Sequence, residues 1–356
     1  MKDFSEKNDH INKRDIVKTF PVPITTEESK GNIFISNNKV NEISQNKIME
    51  QAFICHSKGN ILEAAKYYKY CLDEGCFNPR VYLNYGLILK GFGKLKKAEL
   101  YLRKAIELKL DFPEAHHNLG LIMKDLGKLK EAELSIYKAI QINPNSAEAY
   151  HNLGLIMKDL GKIKEAEKSI SKAIGLKSNY AIAYYNLGTI FLDQGKSEEA
   201  KVSLYKAIEL RPDHADAHYN LGIVYYGQDE FDLAINSFNE AIKLRSNFTK
   251  AYNNLGTVFL AQDKTQDAIQ NFEKAINLDP KYSEAYYNKG IGLTHEGSFS
   301  DAIDSFRKAI KLNPNYADPH LNLSHSLFFV GDYARGWEEY EYRFDEVQHR
   351  CIPHAK

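Results

Sequence analysis

Apolar residues along this chain fall at i, i+3, i+4 and i+7 in short blocks on either side of a glycine. That spacing puts one stripe of side chains on one face of an α-helix. In residues 249–282 the first block carries Tyr252, Leu255, Gly256 and Phe259, and the second carries Ala268, Phe272 and Ala275, with Pro280 behind it. The pattern predicts a helix, a turn and a second helix. It recurs every 34 residues. Asn84, Asn118, Asn152, Asn186, Asn220, Asn254, Asn288 and Asn322 keep the period, and so do Gly86, Gly120, Gly154, Gly188, Gly222, Gly256 and Gly290, a series that Ser324 closes. Two alanine series run in phase, one from Ala64 to Ala302 and one from Ala105 to Ala309. Self-similarity at a fixed period marks a stack of one repeated unit.

Turn chemistry divides the units. Gly127, Gly161, Gly195, Gly297 and Gly331 lie between the two blocks, where a positive φ ends a helix without steric penalty. Asp229 and Asp263 replace glycine there, and Asp also enters that region. Pro144, Pro212, Pro280 and Pro314 fall between units, since helices stop before a proline. Counting outward gives nine units, 45–78, 79–112, 113–146, 147–180, 181–214, 215–248, 249–282, 283–316 and 317–350, flanked by 1–44 and 351–356. Helices ~8–10 Å apart cannot both carry large side chains where they touch, so the repeated Gly and Ala mark the contacts. The end units depart from the pattern, with Glu50 and Ala52 in place of Asn and Gly in the first, and Gly336 in place of Ala in the last.

A large residue, Leu-Gly, an aromatic, Ala, an aromatic and Pro at these offsets resemble the tetratricopeptide repeat. The next unit repeats them with Tyr286, Gly290, Leu293, Ala302, Phe306 and Pro314. The resemblance implies an all-α, right-handed superhelical solenoid of helix-turn-helix units, whose first helices line an inner surface that holds partner peptides. Stability would be roughly a sum over units and their interfaces.

Composition narrows the function classes. With 47 basic and 47 acidic residues, no global field favours nucleic acid or an anionic membrane. No stretch approaches the ~20 apolar residues of a membrane span, and MKDFSEKNDH lacks the apolar core of a signal peptide. A cytoplasmic location is the expectation. Residues 1–44 are polar and carry as many acids as bases, which leaves too little apolar surface to fold alone, so disorder is expected there. Cys55 and Cys71 sit where other units carry a core aromatic and a core alanine, and read as buried thiols.

The search for chemistry returns no catalytic, cofactor-binding or metal-binding residues. His116 and His218 stand at the large-residue core position, and His117 and His151 occupy one place in successive units. Two imidazoles on helices ~8–10 Å apart cannot share a zinc at ~2 Å. The sequence has no Gly-rich phosphate loop or nucleophile elbow.

The asparagine series is therefore the candidate site. At 100° per residue, Asn254 comes out about 150–160° from the centre of Tyr252, Leu255, Gly256 and Phe259, so the ladder from Asn84 to Asn322 is expected to face away from the core contact. Three residues on, Leu87, Leu121, Leu155, Thr189, Ile223, Thr257, Ile291 and His325 share that face. An amide offers two donors and an acceptor to an extended backbone. A structural role, bonding neighbouring helices and helping to set their pitch, stands beside peptide binding, and both can hold.

The residue before each ladder Asn is Leu83, His117, His151, Tyr185, Tyr219, Asn253, Tyr287 or Leu321. With no cation among them, the carboxylate clamp known in this family is excluded. A continuous groove of amides and aromatics looks similar to the repeat domain of protein O-linked N-acetylglucosamine transferases. Gly331 to Arg343, with the sole tryptophan Trp337, resembles the closing repeat of microbial proteins in which a glycosyltransferase-like domain follows; it also reads as an apolar lid on the last helix pair. The expected function is a non-catalytic scaffold for proteins or extended peptides. The alternatives are the substrate-recognition part of a glycosyltransferase with its catalytic domain elsewhere, and a structural assembly module self-associating through its end repeats.

Overall fold

The computed structural model describes residues 39–350, with side chains from 45 to 342. The expected tails, 1–44 and 351–356, lie outside the described residues except for 39–44. Those six belong to the first helix, which therefore starts earlier than the repeat count implies.

Among the described residues the architecture is all-α, and it divides into two compact units that meet between Ser178 and Asn179. The first contains four hairpins: α1 (Lys39–Ser57) with α2 (Ile61–Asp73), α3 (Pro79–Gly91) with α4 (Leu95–Leu108), α5 (Pro113–Asp125) with α6 (Leu129–Ile142), and α7 (Ala147–Asp159) with α8 (Ile163–Leu176). The second contains five: α9 (Ala181–Asp193) with α10 (Ser197–Leu210), α11 (Ala215–Gly227) with α12 (Phe231–Leu244), α13 (Thr249–Ala261) with α14 (Thr265–Leu278), α15 (Ser283–Glu296) with α16 (Phe299–Leu312), and α17 (Asp318–Phe329) with α18 (Tyr333–Arg350).

Each hairpin turns as the sequence requires. Gly127 adopts φ 74°; its N–H bonds to the Lys124 carbonyl at 2.9 Å, and the Lys128 N–H bonds to that of Met123 at 2.8 Å, closing the helix in a Schellman arrangement. Asp229 and Asp263 take the same conformation at φ 57° and 56°. Between hairpins, α6, α10, α14 and α16 each end two residues before their proline.

The close approach within a hairpin rests on the first-helix glycine. A Cβ on Gly256 would lie 2.6 Å from Phe272 Cε1 and 3.0 Å from the carbonyl oxygen of Ala268. The same contact recurs as Gly120 on Ile136, Gly188 on Leu204 and Gly222 on Phe238, with Ala132, Ala200, Ala234 and Ala268 fully buried beside them. Fully burying each such Leu, Ile or Phe contributes about 1.5–3 kcal/mol.

Within each unit a first helix also packs on the second helix before it and on the neighbouring first helices. Ala251, Leu255 and Val258 are accordingly buried, whereas Tyr252, expected in the core, is half-buried. His116 and His218 share that half-buried place and donate from Nε2 to the carbonyls of Leu110 and Pro212, each at 3.0 Å. The position is a hairpin edge, and a polar ring fits it because a backbone acceptor is within reach. Cys55, Cys71 and Cys76 are buried and unbridged; burial raises the Cys71 thiol to about 12. Trp337 is 57% exposed, so the expected lid leaves most of its own indole uncovered.

Gly256→Ala is expected to lower stability by about 1–3 kcal/mol through overpacking. Gly175→Ala, in α8 with nothing within 4 Å of the added methyl, is expected to raise it by about 0.5–1 kcal/mol. Urea unfolding of the two variants checks the opposite signs.

Candidate functional site

The ladder asparagines sit on the first helix of each hairpin, and their bonds follow one rule. In the second unit, Asn254 Nδ2 donates to Tyr219 Oη at 3.0 Å, Asn288 to Asn253 Oδ1 at 3.0 Å, and Asn322 to Tyr287 Oη at 3.1 Å, each reaching 35 residues back. Asn220 bonds Tyr185 in the same register. In the first unit, Asn152 bonds His117 Nε2 at 3.0 Å. Each amide thus reaches the residue before the ladder Asn one repeat earlier.

Where that residue offers no acceptor, the amide turns elsewhere. The place before Asn118 is filled one repeat back by Leu83, and Asn118 donates instead to the carbonyl of Glu114 in its own helix at 2.8 Å. For Asn84 the corresponding residue is Met49, and the amide reaches Tyr68 Oη at 3.2 Å. Asn84 is fully buried. The expectation that it faces away from the core fails there, and Asn84 is not a surface residue.

Asn118, Asn152, Asn186, Asn220, Asn254, Asn288 and Asn322 are all half-buried, short of the exposure that a single-helix projection implies. The projection counted one packing partner, and each first helix has several. Beside the ladder, Leu121, Leu155, Thr189, Ile223, Thr257 and Ile291 are half-buried, Leu87 is buried and His325 is exposed. The amides therefore lie in a partly covered strip with apolar groups alongside.

In the sequence, the residues preceding the ladder are weighed only as clamp cations and, for His117 and His151, as zinc ligands, and not as partners of the asparagines. Their signal was present: a column of His, Tyr, Asn and Tyr, each able to accept, set 35 residues before an amide. Ring contacts hold several of them, with Tyr185 on His214 at 4.5 Å, Tyr219 on Phe248 at 4.8 Å and Tyr287 on Tyr316 at 5.0 Å between centroids. Burial raises the phenols of all three tyrosines, partly offset by the asparagine bond. Each stays protonated at neutral pH, accepting from Asn and keeping one hydrogen to donate.

A second row runs in the first unit, where Lys90 pairs with Asp125 at 3.3 Å and Lys124 with Asp159 at 3.2 Å, again 35 residues apart. Such partly exposed pairs contribute about 0–1 kcal/mol each; they tie neighbouring first helices more than they stabilise them. Among the described residues no three His, Cys, Asp or Glu side chains are grouped to hold a metal ion, and no helix is long and apolar enough to cross a membrane.

Tyr219→Phe is expected to cost about 0.5–1.5 kcal/mol in urea unfolding. Asn254→Ala should add little in that background because both changes remove one bond; additive losses would show that the two side chains act apart. Burial also lowers the imidazoles of His117 and His151, the latter to about 4. The unfolded chain, with His near 6.5, then takes up the proton first as pH falls. Stability from His151 is present above about pH 6.5 and lost towards pH 4. Between pH 7 and pH 5 the wild-type chain should lose about 2 kcal/mol more than His151→Asn, read from urea midpoints at the two pH values.

Comparisons with known proteins agree with this architecture. A family model described as tetratricopeptide repeat matches residues 215–248, 249–282 and 283–316; others of that description match 79–112, 113–146 and 136–168, and a TPR repeat model matches 188–229. A search of curated proteins matched none. Among solved structures, the Cut9-Hcn1 hetero-tetramer of APC/C is similar over 81% of this chain and 57% of that one, at 17% identity and a TM-score of 0.58. Pseudomonas aeruginosa pilF is similar over 60% of this chain and 95% of its own, at 20% identity and a TM-score of 0.53. YrrB, described as a TPR protein with an unusual peptide-binding site, aligns over 51% of this chain and 93% of its own, at 26% identity and a TM-score of 0.44. None of these three is named as a glycosyltransferase, so that likeness is not shown. The two larger TM-scores speak for the fold, and the family matches, which together take in more than half of the sequence, show that the chain belongs to the tetratricopeptide repeat family.

Proposed function

We propose that this protein is a non-catalytic scaffold that holds extended protein segments along its first helices, with the ladder amides as backbone-reading groups. Membership of a protein-interaction family supports the general role. The observation that carries the finer reading is the bond from each of Asn152, Asn220, Asn254, Asn288 and Asn322 to the repeat before it. The backward bond orients each amide; Asn322 also gives an N–H to the Asp318 carbonyl at 3.3 Å and Asn254 Oδ1 accepts from Asn253 at 3.5 Å, and the capacity left on the amides can meet a peptide's N–H and C=O. Orienting the amide before the ligand arrives lowers the ordering cost of binding. Asn84, buried on Tyr68, is left out of this surface, and Asn118 enters it with its donor already turned to Glu114.

The same bonds serve the structural role, so the ladder has two jobs that mutation can separate. Removing an amide forfeits about 0.5–1.5 kcal/mol of hydrogen bonding, while Ala in place of Asn returns roughly 0.5 kcal/mol of helix propensity. The net effect on stability is small.

Combining Asn220→Ala, Asn254→Ala and Asn322→Ala should therefore weaken binding of peptides selected on the wild-type chain from a random 12-residue display library by at least about tenfold. Helicity should be unchanged and the melting temperature should fall by only a few degrees. Unchanged binding, or a collapse in melting temperature, would show the ladder to be structural alone.

A further inference from the structure

Sulfur is unevenly placed in this chain. Met49, Cys55, Cys71 and Cys76 all belong to the first hairpin and its link to the next, and they pack there in one buried cluster. The other hairpins, built on the same pattern, are a control for this one. At the place of Cys71 seven of them carry alanine, from Ala105 to Ala309. At that of Cys76 stand Leu110, Pro144, Ser178, Pro212, Ser246, Pro280 and Pro314, and at that of Met49 stand Leu, His, Tyr or Asn. No other hairpin has sulfur at any of the three places, so packing of the repeat does not call for it there.

The fold brings the three together. α2 closes in a Schellman arrangement, with the Cys76 N–H on the Cys71 carbonyl at 2.9 Å and the Gly75 N–H on that of Leu72 at 3.1 Å, which sets the two cysteine side chains against one another. Met49 comes across from α1, and its Sδ lies 3.9 Å from Cys76 Sγ. An ion bound ~2.3 Å from each of three sulfurs holds them about 4 Å apart. Two sulfurs in plain contact have a similar separation, but plain contact does not explain why three departures from the repeat converge on one spot. Cys55 lies outside the set, its sulfur accepting from Gln51 at 3.7 Å.

The donors narrow the ion. Among the described residues no further His, Cys, Asp or Glu side chain is grouped with a pair of cysteines to hold a metal, so the four such donors of a structural zinc site are not assembled. Thiolate and thioether sulfurs are soft, and soft donors select copper(I). The Asn78 backbone N–H, at the start of α3, points at the Cys76 sulfur and favours its charged form. Cys76 also sits on the link between α2 and α3, between exposed Gly75 and Phe77, so an ion enters by a shift of that link with both helices in place.

We propose that Met49, Cys71 and Cys76 bind one copper(I) ion through two thiolates and a thioether. Binding releases the two thiol protons to solvent and leaves the oxidation state of the metal unchanged. The ion ties α1 to the end of α2 and to the link that follows.

Anaerobic titration of the full chain carrying Cys351→Ser with copper(I), against a chromophoric copper(I) chelator, should show one ion per chain withheld from the chelator. Affinity should rise between about pH 6 and pH 8, by up to about a hundredfold per unit, because two protons leave. Cys71→Ala, Cys76→Ser and Met49→Leu each install a residue that other hairpins carry at the same place. With far-UV circular dichroism unchanged, each cysteine variant should weaken binding at least about a hundredfold and Met49→Leu about tenfold. X-ray absorption at the copper edge should give three sulfur neighbours at about 2.3 Å. No ion withheld from the chelator, wild-type affinity in any of the three variants, or a copper shell of two sulfurs or of nitrogen and oxygen would overturn the proposal.

Discussion

The rest of this structure depends on the absence of a single carbon atom. At Gly120, Gly188, Gly222 and Gly256 a Cβ would stand within 3 Å of the large residue, Ile136, Leu204, Phe238 or Phe272, on the partner helix. Without it, two helices approach closely enough for that side chain to fill the space between them, and the buried alanine beside it completes the contact. The hairpin this creates presents its remaining apolar surface to the next hairpin. Stacking is then the one way to bury that surface, which is why stability in such arrays resides in interfaces between neighbours.

Stacking brings first helices side by side, and the asparagine bonds are a consequence of that geometry. An amide reaches back 35 residues when it finds Tyr, His or Asn there, and turns to its own helix or to a buried tyrosine when it finds Leu or Met. Acceptor chemistry one repeat away decides the bond, and the asparagine itself is constant. The ladder therefore changes character along the chain, from a buried amide at Asn84 to half-buried amides bonded across repeats at Asn152, Asn220, Asn254, Asn288 and Asn322.

The first and last of the described hairpins depart from this pattern. At α1 polar residues replace the apolar ones that a preceding hairpin would have covered, while at α18 aromatic residues take the places that an incoming helix covers elsewhere. Gly336 contributes to this, since it leaves room for the Phe328 ring lying over it. The substitution of Gly for the usual alanine marks a local repacking of rings.

The sequence by itself determined the period, the all-α hairpins, the positive-φ turns and the glycine contacts, because these are settled by residues within one unit and by the 3.6-residue turn of the helix. Tyr252 and Asn254 show where that information stops. A wheel drawn on one helix has one buried face, and it places Tyr252 in the core and Asn254 opposite it. In the folded protein the helix is packed from several sides, so both come out half-buried. Only the tertiary structure decided which asparagines are bonded across repeats, that Asn84 lies inside, and that Trp337 lies outside. Each of those depends on a neighbour one repeat away, whose position is set by stacking and not by local periodicity.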